Sequence, residues 1–211
     1  MRKRLLVIII SITLLLSACS PRIIDEAKAK EAGLALINRA FNANEAEASV
    51  EYQARPATFY QDGTTGETVT LEPDRVYVVK TALEKGESDY YYAEVDAVTG
   101  VAFRAERYLS GIVLTEEQQK QADALGTLDD FNPDDFILTQ QDAVSNIMDI
   151  IKERLEPEIP LLRMYPDIIE SDSVDFPKVL LEYLVIMEGG KVYDLTLCWP
   201  TMELVKVYIR N

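Results

Sequence analysis

Tyr90-Tyr91-Tyr92-Ala93-Glu94-Val95-Asp96-Ala97-Val98-Thr99-Gly100-Val101-Ala102-Phe103-Arg104-Ala105 alternates apolar and polar side chains on both sides of a Thr-Gly pair. Period-two alternation interrupted by a turn signal is the pattern of a half-buried β-hairpin. Tyr91, Ala93, Val95 and Ala97 make the apolar side of the first strand, and Val101, Phe103 and Ala105 that of the second. Pairing Ala97 with Val101 leaves Val98-Thr99-Gly100 as the loop, with glycine where a left-handed residue is required. The same register sets Glu94 opposite Arg104 and Tyr90 opposite Tyr108 on the other face, both favourable cross-strand pairs.

Working outward, the hairpin closes a longer unit at residues 24–109. Leu34, Ile37 and Phe41 recur at helical spacing behind Asp25, a good N-cap, which predicts a helix over residues 24–41. Strands are expected over residues 50–60, 75–83, 90–97 and 101–108, divided by Asp62-Gly63, Lys85-Gly86 and Thr99-Gly100. Residues 110–138 read as an acidic connector, in which Thr115-Glu116-Glu117-Gln118 fits a capping box and opens a short helix ending near Gly126.

The pattern then returns over residues 139–211. Thr139 is the expected cap of a helix with a stripe at Val144, Ile147, Met148, Ile151 and Leu155. Pro157, Pro160 and Pro166 mark a loop, followed by strands at residues 179–187, 191–199 and 203–210, the first two joined by Glu188-Gly189-Gly190. Sliding the first hairpin by 102 residues lays Val95 on Leu197, Thr99 on Thr201, Phe103 on Val205 and Arg104 on Lys206. The inward set becomes Leu195, Leu197, Trp199, Val205, Val207 and Ile209, and the loop Pro200-Thr201-Met202. The fold class expected is α+β, two small repeats that each pack a helix on an antiparallel sheet.

Helix, strands and a closing hairpin with Val95-Asp96-Ala97, two residues and Gly100 resemble the PepSY family, with Asp25 to Phe41 standing for the family's helix. The second half is a weaker relative, with Cys198 at the aspartate position and Met202 at the glycine, which puts its turn geometry in question. The resemblance implies a binding or regulatory module of the bacterial envelope, of a kind found in propeptides of thermolysin-type peptidases. It brings no catalytic residues with it.

The first residues give an address. Arg2, Lys3 and Arg4 precede an apolar run from Leu5 to Leu16, which is shorter than the roughly 20 residues a spanning helix needs, so residues 1–18 read as an export signal. Leu16-Ser17-Ala18-Cys19 resembles the lipobox of bacterial lipoproteins, which implies cleavage before Cys19, a diacylglyceryl thioether on its sulfur and a lipidated tether at residues 19–23. Two signals anchor a protein stably where a single chain does not.

Removing residues 1–18 takes away three basic residues and no acid, so a net charge of −15 becomes −18. Such a chain is repelled by nucleic-acid phosphates and by anionic lipid head groups within a Debye length, so it is held to a membrane by lipid and not by charge. Cys198 is the one other cysteine, which leaves no intramolecular disulfide once Cys19 carries lipid. Histidine is absent, and with it His-based general bases and nearly all common zinc and copper sites.

The remaining candidates are weak. Asp130, Asn132 and Asp134 alternate like calcium ligands, but Asp135 and Gln141 stand where an EF-hand needs glycine and a bidentate glutamate. Glu182, Glu188, Asp194 and Glu203 lie near strand ends, where an acid/base pair is conceivable and solvated edge charge is the plainer reading. Cys198 falls on the outward face with no histidine to activate its thiol. Tyr90, Tyr92, Glu94, Arg104 and Tyr108 share the face opposite the helix and have the composition of a contact surface. The expectation is a lipid-anchored, extracytoplasmic, non-enzymatic protein that binds a protein or peptide partner, without metal, cofactor or nucleic acid. An accessory scaffold whose two units cover each other is the alternative.

Overall fold

The computed structural model describes residues 22–56, 58–61, 68–71, 74–81, 91–108, 112–124, 136, 140–170 and 179–210. Cys19, Tyr90, Thr139 and the acidic run from Asp129 to Asp135 lie outside these residues. The fold is α+β. Helix α1 (Glu26–Phe41) begins where the Asp25 carboxylate accepts the Lys28 N–H at 2.9 Å and ends at Asn42 in a left-handed conformation, φ 52°. It buries Ala29, Gly33, Leu36, Ile37 and Ala40. A Cβ on Gly33 would stand 2.7 Å from the Cβ of Val79, so only glycine lets helix and sheet come this close.

The strands of the first half are β1 (Ala48–Arg55), β2 (Thr58–Gln61), β3 (Thr68–Leu71), β4 (Asp74–Thr81), β5 (Tyr91–Asp96) and β6 (Ala102–Arg107); those of the second are β7 (Leu161–Glu170), β8 (Val179–Met187), β9 (Val192–Trp199) and β10 (Glu203–Arg210). Eight of them form one antiparallel sheet in the order β1-β4-β5-β6-β10-β9-β8-β7, and β2 pairs with β3 apart from it. The single strand expected over residues 50–60 is therefore two. Helix α2 (Glu116–Asp123) has both bonds of the predicted capping box: the Thr115 hydroxyl accepts from Gln118 N at 3.2 Å, and Gln118 Oε1 accepts from Thr115 N at 3.0 Å.

The strand order reads the same from either edge, and the centre explains why. Ala105 of β6 pairs with Val207 of β10, its own counterpart at the 102-residue shift, flanked by Glu106 opposite Lys206 and Arg104 opposite Tyr208. A residue that pairs with its own counterpart lies on a two-fold axis. Because β6 and β10 are antiparallel, that axis is normal to the sheet, and α1 and helix α3 (Gln141–Ile150) cover the same face. One core cluster accordingly joins Leu36 and Ile37 to Ile147, Tyr183, Leu195 and Val207. The two repeats share a sheet and a core.

The hairpin tips repeat as well. Gly100 N–H donates to Asp96 O at 2.8 Å and Met202 N–H to Cys198 O at 2.7 Å, with φ of 76° and 59° at Gly100 and Met202. The second tip thus keeps the closing bond and the left-handed last residue of the first despite its altered residues, while its Trp199–Pro200 peptide bond is cis where the counterpart Ala97–Val98 is not.

Three expectations are corrected. The hairpin register is as expected from Tyr91 opposite Arg107 to Glu94 opposite Arg104, but Val95 then faces Ala102, and in the second half Leu204 faces Leu197 while Lys206 faces Thr196. Phe103 and Val205 are the extra residues of β-bulges at matching positions. A bulge shifts the alternation by one, so both leave the helix face and Ala102 and Leu204 replace them, while Val101 stands exposed at the tip.

The stripe of α3 is also rotated. Its buried residues are Ala143, Ile147, Ile150, Ile151 and Leu155, while Val144 and Met148 are exposed. A π turn over Ile151–Leu155, closed by Glu156 N–H on Ile151 O at 2.7 Å, adds one residue and carries Ile150 and Ile151 onto the sheet together. The helix starts at Gln140 with no side-chain cap. Finally, the proline-marked segment is not all loop. Leu161–Glu170 is edge strand β7, with Pro166 inside it, a placement that an edge tolerates because half of its donors have no strand to meet.

Candidate contact face and interunit cleft

On the face opposite the helices, β1, β5 and β6 hold an alternating charge row. Glu94 is 5% exposed and takes two bonds from Arg55, Nη2 to Oε1 at 2.7 Å and Nη1 to Oε2 at 3.2 Å. Arg104 Nη1 lies 3.7 Å from Glu94 Oε1, and Arg104 Nε donates to Glu106 Oε1 at 2.7 Å. The Arg104 guanidinium also stacks 5.5 Å from the centre of the Tyr92 ring. A buried carboxylate is tolerated when its charge and lone pairs are engaged, and Glu94 meets that condition through Arg55.

These contacts set the proton affinities. The bond to Glu94 raises the Arg55 guanidinium. Burial works to lower Arg104, but its bonds to Glu106 prevail and raise it. The Tyr92 phenol is held far above its ordinary value, first by burial and then by the Glu106 carboxylate. At neutral pH both guanidiniums are charged and the Tyr92 phenol is neutral.

Of the predicted surface, Tyr92, Glu94 and Arg104 are together, and Tyr108 stands exposed past the end of β6. The structure adds four residues that sequence reasoning missed: Arg55, Glu106, and the edge-to-face pair Phe103 and Tyr208, whose ring centres are 5.9 Å apart. The 102-residue repeat carried a signal for Tyr208, since it is the counterpart of Glu106. Nothing local pointed to Arg55, which is 39 residues from Glu94.

The other candidates resolve into structural roles. Lys206 Nζ donates to Glu182 at 3.1 Å, Arg210 Nε donates to Asp194 at 2.8 Å, and Arg107 pairs with Glu203, so three of the four carboxylates near strand ends each hold a cation, and Glu188 lies exposed in the β8–β9 turn. Cys198 faces outward as expected but is fully buried, because Ile112 of the connector packs over it and Val205. A thiol so covered is inert packing. Among the described residues no three Cys, Asp or Glu side chains gather as metal ligands, and no helix is long and apolar enough to cross a membrane.

On the helix side, the two halves enclose a cleft of about 460 Å³ bordered by Phe41, Asn42, Arg107, Asp149, Arg154 and Met202. Arg154 Nη1 donates to Ala40 O at 3.2 Å, closing the C-terminal end of α1 from across the interunit boundary. The cleft exists because the two-fold brings the end of α1 beside the tip of the second hairpin.

Fold and site together define an α+β protein made of two related halves joined edge to edge, with an aromatic and charged face opposite its helices. No protein-family model and no curated protein matches the chain. Among solved structures it is similar to the Bacillus megaterium YpeB C-terminal domain, with a TM-score of 0.42 and 10% identity over 89% of this chain. The chain spans 63% of that structure.

Proposed function

We propose that this is a lipid-anchored protein of the bacterial envelope, a non-enzymatic module that binds and regulates a protein or peptide partner. The export signal and the lipobox-like Leu16-Ser17-Ala18-Cys19 support the anchor, and the resemblance to PepSY modules makes a peptidase one class of partner. The observation that carries the binding role is the patch of partly exposed Tyr92, Phe103, Arg104 and Tyr208 that the bulge and the β6–β10 pairing assemble. Aromatic residues and arginine are the types that interfaces enrich, because they bury large rigid areas and several donors together.

The test places a photo-crosslinking amino acid at Tyr208 in the full-length protein in cells, with Val144 on the exposed side of α3 as control. The expected result is a discrete adduct from Tyr208 and none from Val144, lost when Arg104→Ala is added although the melting temperature falls by no more than about 4 °C. Truncating an interface anchor of this type weakens capture by about 1–3 kcal/mol. Folding should lose only about 0.2–1 kcal/mol, as for exposed cross-strand pairs. If Arg104→Ala unfolds the protein as readily as a core substitution and Tyr208 gives no adduct, the patch is structural and the scaffold reading replaces this one.

A further inference from the structure

The start of the described chain is fastened to the first hairpin tip. Ile24 N–H donates to Ala97 O at 2.8 Å, and Ile24 O accepts the Tyr77 hydroxyl at 2.8 Å. The Ile24 side chain lies against Gly100, whose Cβ, were it present, would be 3.6 Å from Ile24 Cδ1. Between this clamp and Cys19 there is little chain. Four Cα steps separate Cys19 from Ile23, which reach at most about 14 Å when fully extended.

The same tip is apolar where it meets solvent. Ile23, Val98 and Val101 are 40%, 39% and 46% exposed, three aliphatic side chains at one end of an otherwise acidic molecule. Arg22 and Arg75 flank them and are exposed. Of the nearby acids, Asp25 accepts the Lys28 N–H and Asp96 accepts those of Val98 and Thr99, while Asp74 lies 3.5 Å from Arg55 and Glu26 is in the first turn of α1. Asp74 thus faces a cation, while the backbone bonds to Asp25 and Asp96 orient those carboxylates without cancelling their charge.

We infer that this end rests on the lipid surface, with Ile23, Val98 and Val101 inserted at the headgroup boundary and Arg22 and Arg75 beside the phosphates. The inference rests on the lipid-anchor reading of Cys19. A tether of about 14 Å cannot lift the tip clear of the membrane by more than its own length, and small aliphatic side chains gain free energy by leaving water at that boundary. The orientation of the whole protein follows. β6 and β10 are antiparallel, so the second tip, at Pro200-Thr201-Met202, points the other way, and α1 runs from the lipid end to the cleft. The cleft therefore lies at the end of α1 remote from the membrane, about 24 Å along the helix, the length of 16 residues.

The test uses the full-length, lipid-modified protein in vesicles of phosphatidylcholine and phosphatidylglycerol, part of the phosphatidylcholine carrying brominated acyl chains. A fluorophore is attached through Val98→Cys, Val101→Cys or Val113→Cys, singly. Val113 is 81% exposed beside Ile112, which covers Cys198 near the second tip, so it is an equally greasy control at the far end. Bromine should quench the label at 98 and 101 severalfold more than at 113, and Arg22→Glu with Arg75→Glu should reduce that quenching without shifting the melting temperature. Equal quenching at all three positions in protein that carries fatty acid overturns the orientation and leaves the anchor standing. Protein that takes up no fatty-acid label and stays soluble overturns both.

Discussion

The two hairpin tips share a closing bond and a left-handed last residue but are otherwise built differently. At the first, the Asp96 carboxylate accepts the N–H groups of Val98 and Thr99 at 2.9 and 2.6 Å and the Thr99 hydroxyl at 2.9 Å, and glycine occupies the left-handed position. At the second, Cys198 has no such side chain; its backbone carbonyl accepts the Thr201 hydroxyl at 3.0 Å and the Met202 N–H at 2.7 Å, and a methionine stands at φ 59°. The first tip is stabilised locally by an aspartate turn in solvent, the second from outside by Ile112 packing over a buried thiol. The closing bond and the left-handed last residue therefore do not require aspartate and glycine, which are one way of meeting them.

The largest expected effect tests whether the halves act as one. Leu197 and Val95 are fully buried counterparts in the two hairpins. Leu197→Ala should cost about 2–5 kcal/mol and Val95→Ala about 1–3 kcal/mol. Trp199 is the chain's one tryptophan and lies in the second half. If the sheet is a single cooperative unit, Val95→Ala shifts the urea midpoint of Trp199 fluorescence as much as that of circular dichroism. Separate midpoints would break the comparison into two independent domains.

A smaller effect is expected at the left-handed positions. Gly100→Ala forces a Cβ into φ 76° and should cost about 1–2 kcal/mol. Met202→Gly relieves that strain but surrenders a side chain packed against the core, so the net change should lie within about 1 kcal/mol of zero. Equal and large losses would show that Met202 matters for its packing alone.

The smallest effect is in acid. Burial opposes ionisation of Asp96, but the bonds from Thr99 and Val98 prevail and hold its carboxyl below the ordinary range. A carboxyl lowered by folding stabilises the native state above the unfolded value near pH 4 and loses that contribution as pH falls through the folded value. Asp96→Asn should therefore cost less than about 1 kcal/mol at pH 7 and lose less stability than the parent between about pH 4 and pH 2, as read from urea midpoints. The second tip, having no carboxylate at this position, contributes nothing to the difference.

What was legible follows from the range of the signal. Both hairpins, α1 with its aspartate cap and the capping box of α2 are written in spacings of a few residues, the 102-residue repeat is the recurrence of one such pattern, and the facing of Glu94 and Arg104 followed from parity. The bulges were not legible, since Phe103 and Val205 keep the alternation that a regular strand would show. Strand β7 was hidden because three prolines read as loop until an edge position excuses one of them. The Arg55–Glu94 pair joins strands whose relative register depends on the whole sheet. The cleft needed the two-fold, which arises only when β6 finds β10.

That central pairing also fixes how the molecule bears load. Its two tips point in opposite directions along strands whose ladder bonds run across them. A pull between the tips loads those bonds together, in shear, rather than opening them one at a time from an end. The seam that joins the halves is thus oriented to resist tension along the strands and to yield to peeling from the edge.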